Sequence, residues 1–179
     1  LENKNLSTFE ITENFTCIRF LNQNKERFEL EFNLEKGTSF NTFLIISGDE
    51  LFIIHPPEKE YSKLINEVIS NFHDEFKFNK INIITGHVNP KIIETIKSIS
   101  LKFSNLAITC SNPGSKLISE LWNQKNPKLE TFIEQELPKI NIVKKELNLE
   151  LENISLKLLP VATARWPGGL IVYEENQEI

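Results

Sequence analysis

The chain has 179 residues, 40% of them hydrophobic and 25% charged, enough to bury one core and short of the size at which cores divide. No apolar run is long enough to span a bilayer, and residues 1–7 carry no basic and apolar leader, so a soluble, cytoplasmic protein is expected. The net charge of −5 is spread over mixed acidic and basic residues, which argues against nucleic acid as a partner.

The chain opens with β patterning. Strands are expected over 15–20, over 27–32 where Phe28, Leu30 and Phe32 alternate with Glu29 and Glu31, and over 42–46 and 51–54. Ser47-Gly48-Asp49-Glu50 supplies the turn of the last hairpin. After His55-Pro56-Pro57 the period changes. Tyr61, Leu64, Ile65, Val68, Ile69 and Phe72 fall at helical spacing, predicting a helix over 58–72 with Pro57 suited to its first turn.

The run 81–85 is short, β-branched and nearly continuous, as a strand buried on both faces would be, and a helix follows from Pro90 to about Leu101. A strand over 106–110, a turn at Ser111-Asn112-Pro113-Gly114 and a helix over 115–122 repeat the unit, with Ser115 and Ile118 giving half a capping box. A short helix over 127–136 is next. Strands return from Ile140, through 147–159, and again over 170–173. The residues 174–177 read as a turn, and Glu178-Ile179 as a strand that is cut off, so a fragment is expected. Strands, then β-α units, then strands indicate a layered α/β domain with a mixed sheet.

In such a sheet, functional residues collect beyond the carboxyl ends of the strands. The candidates are His55, the loop from Gly86 to Ile92, the turn at Ser111 to Gly114, and Thr163 to Gly169. His87 stands just past a buried strand and suits a metal ligand, a base or a loop anchor, but Asn89, Lys91 and Ile92 offer it no carboxylate or imidazole company. His55, stiffened by two prolines, is placed to face the same pocket. His73, at a helix end, reads as a solvated cap. Arg165-Trp166-Pro167-Gly168-Gly169 suits either an anion or aromatic contact or a packed corner. Cys17 and Cys110 lie far apart without Cys or His at ligand spacing and read as buried thiols in a reducing compartment.

Four words, Arg27-Phe28-Glu29-Leu30-Glu31-Phe32, Gly37-Thr38-Ser39-Phe40-Asn41-Thr42-Phe43-Leu44-Ile45, the Gly86-His87 loop and Arg165-Trp166-Pro167, in this order of elements, resemble the flavodiiron proteins of oxygen-evolving phototrophs. The resemblance implies a metallo-β-lactamase-like αββα sandwich, truncated at its carboxyl end, with residues 1–179 forming one partial domain. In that family a His-x-Glu-x-Asp-His word supplies iron ligands. Laid on this chain, it falls on His87, Asn89, Lys91 and Ile92, so that only the first histidine is kept. The ligand histidine of the family's His-Trp-Pro word is replaced by Arg165.

The resemblance therefore implies vestigial metal positions at His87, Asn89, Lys91, Ile92 and Arg165, with His55 as a further pocket residue, and no catalytic, metal or cofactor site in this chain. Lys91 and Arg165 are expected to fill the vacated volume and pair with carboxylates. The family's di-iron centre and FMN would be completed by segments beyond Ile179 and by a related flavodiiron subunit in a homo- or hetero-dimer. Two other readings stand beside this one: an active di-iron oxygen reductase or β-lactamase-like hydrolase, and a non-enzymatic interaction module.

Overall fold

The structure, a computed structural model, describes residues 6–22, 27–28, 32–33, 37–124, 135–152, 154–161, 163 and 168–176. These residues form three layers, with helices on one face of a large mixed sheet and a smaller sheet on the other. The large sheet is built from β1 (Leu6–Thr12), β2 (Phe15–Asn22), β5 (Thr38–Ser47), β6 (Glu50–Ile54), β7 (Lys80–Ile84), β8 (Leu106–Ser111) and β9 (Lys139–Val143), in that spatial order. Its first four strands pair antiparallel and β6 to β9 pair in parallel. Parallel neighbours need crossovers. These are α1 (Ser62–Phe76), α2 (Pro90–Lys102) and α3 (Asn112–Asn123). The small sheet joins β10 (Leu147–Glu150), β11 (Ser155–Pro160) and β12 (Leu170–Glu174), all antiparallel.

Side-chain alternation at period two explains why the sheet is covered on both faces. Leu44, Leu51, Ile53, Ile81, Ile83, Leu106 and Ile108 point to the helical side, where they pack with Ile65 and Ile69 of α1, Ile93, Ile96 and Ile99 of α2, and Ile118 and Trp122 of α3. Ile45, Phe52, Ile54 and Ile84, the residues between them, point the other way and meet Leu156, Leu158 and Leu170 of the small sheet. Two cores thus share one set of strands.

Several expectations are corrected. The run 27–32 is not one strand: Arg27–Phe28 (β3) pairs antiparallel with Phe32–Asn33 (β4), so the chain reverses within it. Strand β1 precedes the first strand expected. The helix expected over 58–72 begins only at Ser62 and runs to Phe76, because residues Lys59–Tyr61 form a separate 3-10 turn, leaving Pro57 outside the helix. The residues 147–159 are a hairpin of β10 and β11.

Helix α3 starts at Asn112 and not at Ser115, since Ser111 Oγ accepts from Gly114 N at 3.2 Å and Pro113 suits the first turn, so the supposed turn is the helix's own beginning. His73 is not a solvated cap. It is half-buried and meets Phe78 edge-on, with ring centres 5.0 Å apart, while its carbonyl accepts from Lys77 N. The helix expected over 127–136 falls almost wholly outside the described residues, as do Arg165, Trp166, Pro167 and 178–179.

Candidate functional site

The carboxyl ends of β6, β7 and β8 meet the loop before β12 in one corner, and short-range chemistry draws each strand end there. His55 follows β6 directly. Its N–H donates to Ile84 O at 2.9 Å and its carbonyl accepts from the buried Thr42 Oγ1 at 2.8 Å, which continues the β6–β7 ladder for one more residue. That hold keeps His55 at φ +55°, a left-handed conformation costly for a side chain with a Cβ. The strained backbone turns the imidazole toward β7, where Nδ1 accepts from Gly86 N at 3.3 Å.

Gly86 is required at its position by crowding. A Cβ there would lie 2.0 Å from Leu170 O and 2.9 Å from His55 Cε1, so β7, β12 and the His55 ring meet at a point only a glycine can occupy. Beside it, Ser111 Oγ donates to Gly168 O at 2.9 Å while capping α3, and a Cβ on Gly168 would come within 3.2 Å of Gly114 Cα. The loop is closed at its base by Val161 N donating to Gly169 O at 3.0 Å. Of the Arg-Trp-Pro-Gly-Gly stretch, the two described glycines form a packed joint.

The positions of the loop word are held as follows. His87 Nε2 is 3.0 Å from Asn89 Nδ2, and the His87 carbonyl accepts from Thr85 Oγ1 at 2.7 Å. Asn89 is the N-cap of α2, its Oδ1 accepting from Ile92 N at 2.9 Å. Lys91 turns outward: its side chain is 50% exposed and its ammonium pairs with Glu60 at 2.6 Å and Glu58 at 3.2 Å on the 3-10 turn. It finds the carboxylates expected of it, but outside the corner, whose volume it does not fill. Ile92 is buried in the helical-side core.

Burial pushes the His55 imidazole below its ordinary pKa, and a charge on the nearby His87 would push it further, so the ring is neutral near pH 7 and its Nδ1 lone pair remains able to accept from Gly86. The hydrogen bond to Glu60 holds Lys91 above its usual value against its own partial desolvation. Burial lifts the Cys110 thiol to about 11 and raises that of Cys17 as well, so neither offers a thiolate at neutral pH.

A di-iron centre asks for several carboxylates and imidazoles converging on two cations. Among the described residues no group of three or more His, Cys, Asp or Glu side chains stands where it could hold a metal ion. The corner offers the imidazoles of His55 and His87, each with one ring nitrogen already engaged. These residues do not fit a di-iron centre. No helix among the described residues is long and apolar enough to cross a membrane.

Sequence reasoning missed Thr42 and the Leu170 carbonyl as parts of this corner, whereas Gly168 lay inside the candidate stretch Thr163 to Gly169. Ser followed by Asn-Pro-Gly carried a readable signal for the α3 cap, since Pro favours the first helical turn. Nothing in the sequence marks Thr42 as the partner of a carbonyl thirteen residues on.

No family profile matches the sequence. A protein named diflavin flavoprotein A 6, from Nostoc, is 29% identical over 177 residues, which are 98% of this chain and 29% of the relative. The chain thus spans less than a third of the length of the curated relatives it matches. Among solved structures, the metal-soaked Flv1 flavodiiron core from Synechocystis superposes with a TM-score of 0.77 at 24% identity, covering 96% of this chain and 40% of that one. A fragment, 1–254, of diflavin flavoprotein A 5 from Nostoc gives a TM-score of 0.75 at 27% identity, covering 96% of this chain and 62% of that one. The chain is a homologue of the cyanobacterial diflavin flavoproteins, and its strands and helices have the metallo-β-lactamase-like fold of the flavodiiron core.

Proposed function

We propose that this chain is a non-metallated supporting domain of a cytoplasmic flavodiiron-type system that carries electrons to oxygen, with di-iron and FMN chemistry supplied elsewhere in the assembly by a related subunit. One observation carries the reading: three of the four loop-word positions have other work. Asn89 caps α2, Lys91 is tied to Glu58 and Glu60, and Ile92 is part of the core. An isoleucine has no lone pair to give, and an ammonium repels a cation. In this reading, His87, Asn89, Lys91, Ile92 and Arg165 are vestigial site positions, and residues 1–179 are one partial sandwich domain whose role is assembly.

The nearness of the His55 and His87 imidazoles favours a second reading, an active metal site of oxygen-reductase or β-lactamase-like hydrolase type. Mixing the purified chain with a flavodiiron protein whose iron ligands are complete, while following particle mass and oxygen uptake, separates the two. The supporting role expects a defined complex and no oxygen uptake by the chain alone beyond the autoxidation of the reduced flavin itself. Uptake by the chain above that background, or failure to associate, counts against it.

A further inference from the structure

We infer that Asn89 is a positioning residue that fixes the tautomer of His87 while it caps α2, and so withholds the Nε2 lone pair of that ring from any cation or proton donor in the corner. The inference deepens the reading above and rests on it for its functional meaning, though its geometry stands alone. The two ends of the Asn89 amide are told apart by chemistry. The N–H of Ile92 can be met only by an acceptor, so the group 2.9 Å away is Oδ1, and the end 3.0 Å from His87 Nε2 is the NH2. Turned over, the amide would set hydrogens against the Ile92 N–H and lose the cap. Nδ2 can only donate, hence Nε2 accepts, and the proton of the neutral ring sits on Nδ1.

The surroundings keep this arrangement in place. Thr85, 1% exposed, donates its hydroxyl to the His87 carbonyl at 2.7 Å, and Pro90 at the start of α2 holds the backbone just after Asn89. Ile92, the residue whose N–H is capped, is itself anchored in the core. Ring, amide and helix end are therefore one unit, in which a metal at Nε2 would have to displace Asn89 and uncap α2.

The test is nitrogen-15 NMR of the His87 ring in the full chain at pH 7.5, with thermal unfolding alongside, for the wild type, Asn89→Asp and Asn89→Ala. The wild-type ring should carry its proton on Nδ1. Asn89→Asp keeps one oxygen for the cap and puts another at Nε2, so Nε2 becomes protonated while Tm stays within about 2 °C of wild type. Asn89→Ala removes both bonds, releases the tautomer preference and lowers Tm by about 2–4 °C. A wild-type ring protonated on Nε2, or a ring that ignores Asn89→Asp, overturns the assignment. Iron bound by the wild type away from His87, with the ring still Nδ1–H and free of metal, would sink the supporting-domain reading and leave this one standing; iron on Nε2 would sink both, and an Nε2–H ring in an iron-free chain would sink this one alone.

Discussion

Replacing Gly86 with alanine should destabilise the chain more than any other single-methyl addition at a described glycine. The new Cβ would sit 2.0 Å from Leu170 O, about 1.4 Å short of the 3.4 Å at which ordinary contact begins, and 2.9 Å from His55 Cε1. The nearest atom belongs to a backbone carbonyl at the first residue of β12, so no rotamer change relieves it. Relief requires β7 and β12 to part, which opens the core around Ile84, Leu158 and Leu170.

Overpacking of this kind costs about 1–3 kcal/mol, and a clash with backbone belongs at the upper end, near 3 kcal/mol. For a chain of this size that corresponds to a Tm lower by about 6–12 °C. Gly48→Ala is the control: it meets nothing closer than Glu152 Oε1 at 3.7 Å, and its φ of +57° costs only about 1–2 kcal/mol. Urea unfolding of both variants decides the matter. A Gly86→Ala chain as stable as Gly48→Ala would refute the close approach of β7 to β12 and the corner built on it.

Because His55 is held below its ordinary pKa, the unfolded chain binds more protons than the folded one just under the unfolded value, about 6.5. Its contribution to stability is therefore complete above about pH 6.5 and is lost as pH falls toward the folded value; denaturant titrations from pH 8 to 5 should show this slope, and His55→Asn should flatten it. Ser111→Ala removes the α3 cap and the donor to Gly168 O and should cost about 1–2 kcal/mol in urea unfolding, with Ser111→Thr recovering much of it. Cys110, fully buried and raised to about 11, should resist a maleimide at pH 7.5 as should Cys17, both reacting at once in urea; rapid native labelling of either would contradict the packing.

The parallel half of the large sheet was legible because its strands are short β-branched runs and its helices keep apolar residues at helical spacing, signals that local sequence carries by itself. Residues 81–85 and 90–101 lie within a residue or so of β7 and α2. Strand β1 was not legible: it is an edge strand with no fully buried residue, so its apolar signal is weak. The reversal between Arg27 and Asn33 was hidden by an alternation that suits one strand as well as two.

At the site, the sequence showed which groups were present and which were missing, since that depends on residue identity. It could not show what the replacements do. The Asn89 cap is local, an Asn set just before Pro90, but that Lys91 swings out to Glu60 and that His55 bends into φ +55° under the pull of Ile84 O and Thr42 are outcomes of tertiary geometry.

The central claim, that the altered positions leave this chain without its own iron, is tested most directly by metal analysis after incubation with ferrous iron in the absence of oxygen, comparing the wild type with Asn89→Glu/Lys91→Asp/Arg165→His. The account predicts no retained iron in the wild type after desalting; near-stoichiometric iron there would contradict it and require ligands beyond His55 and His87.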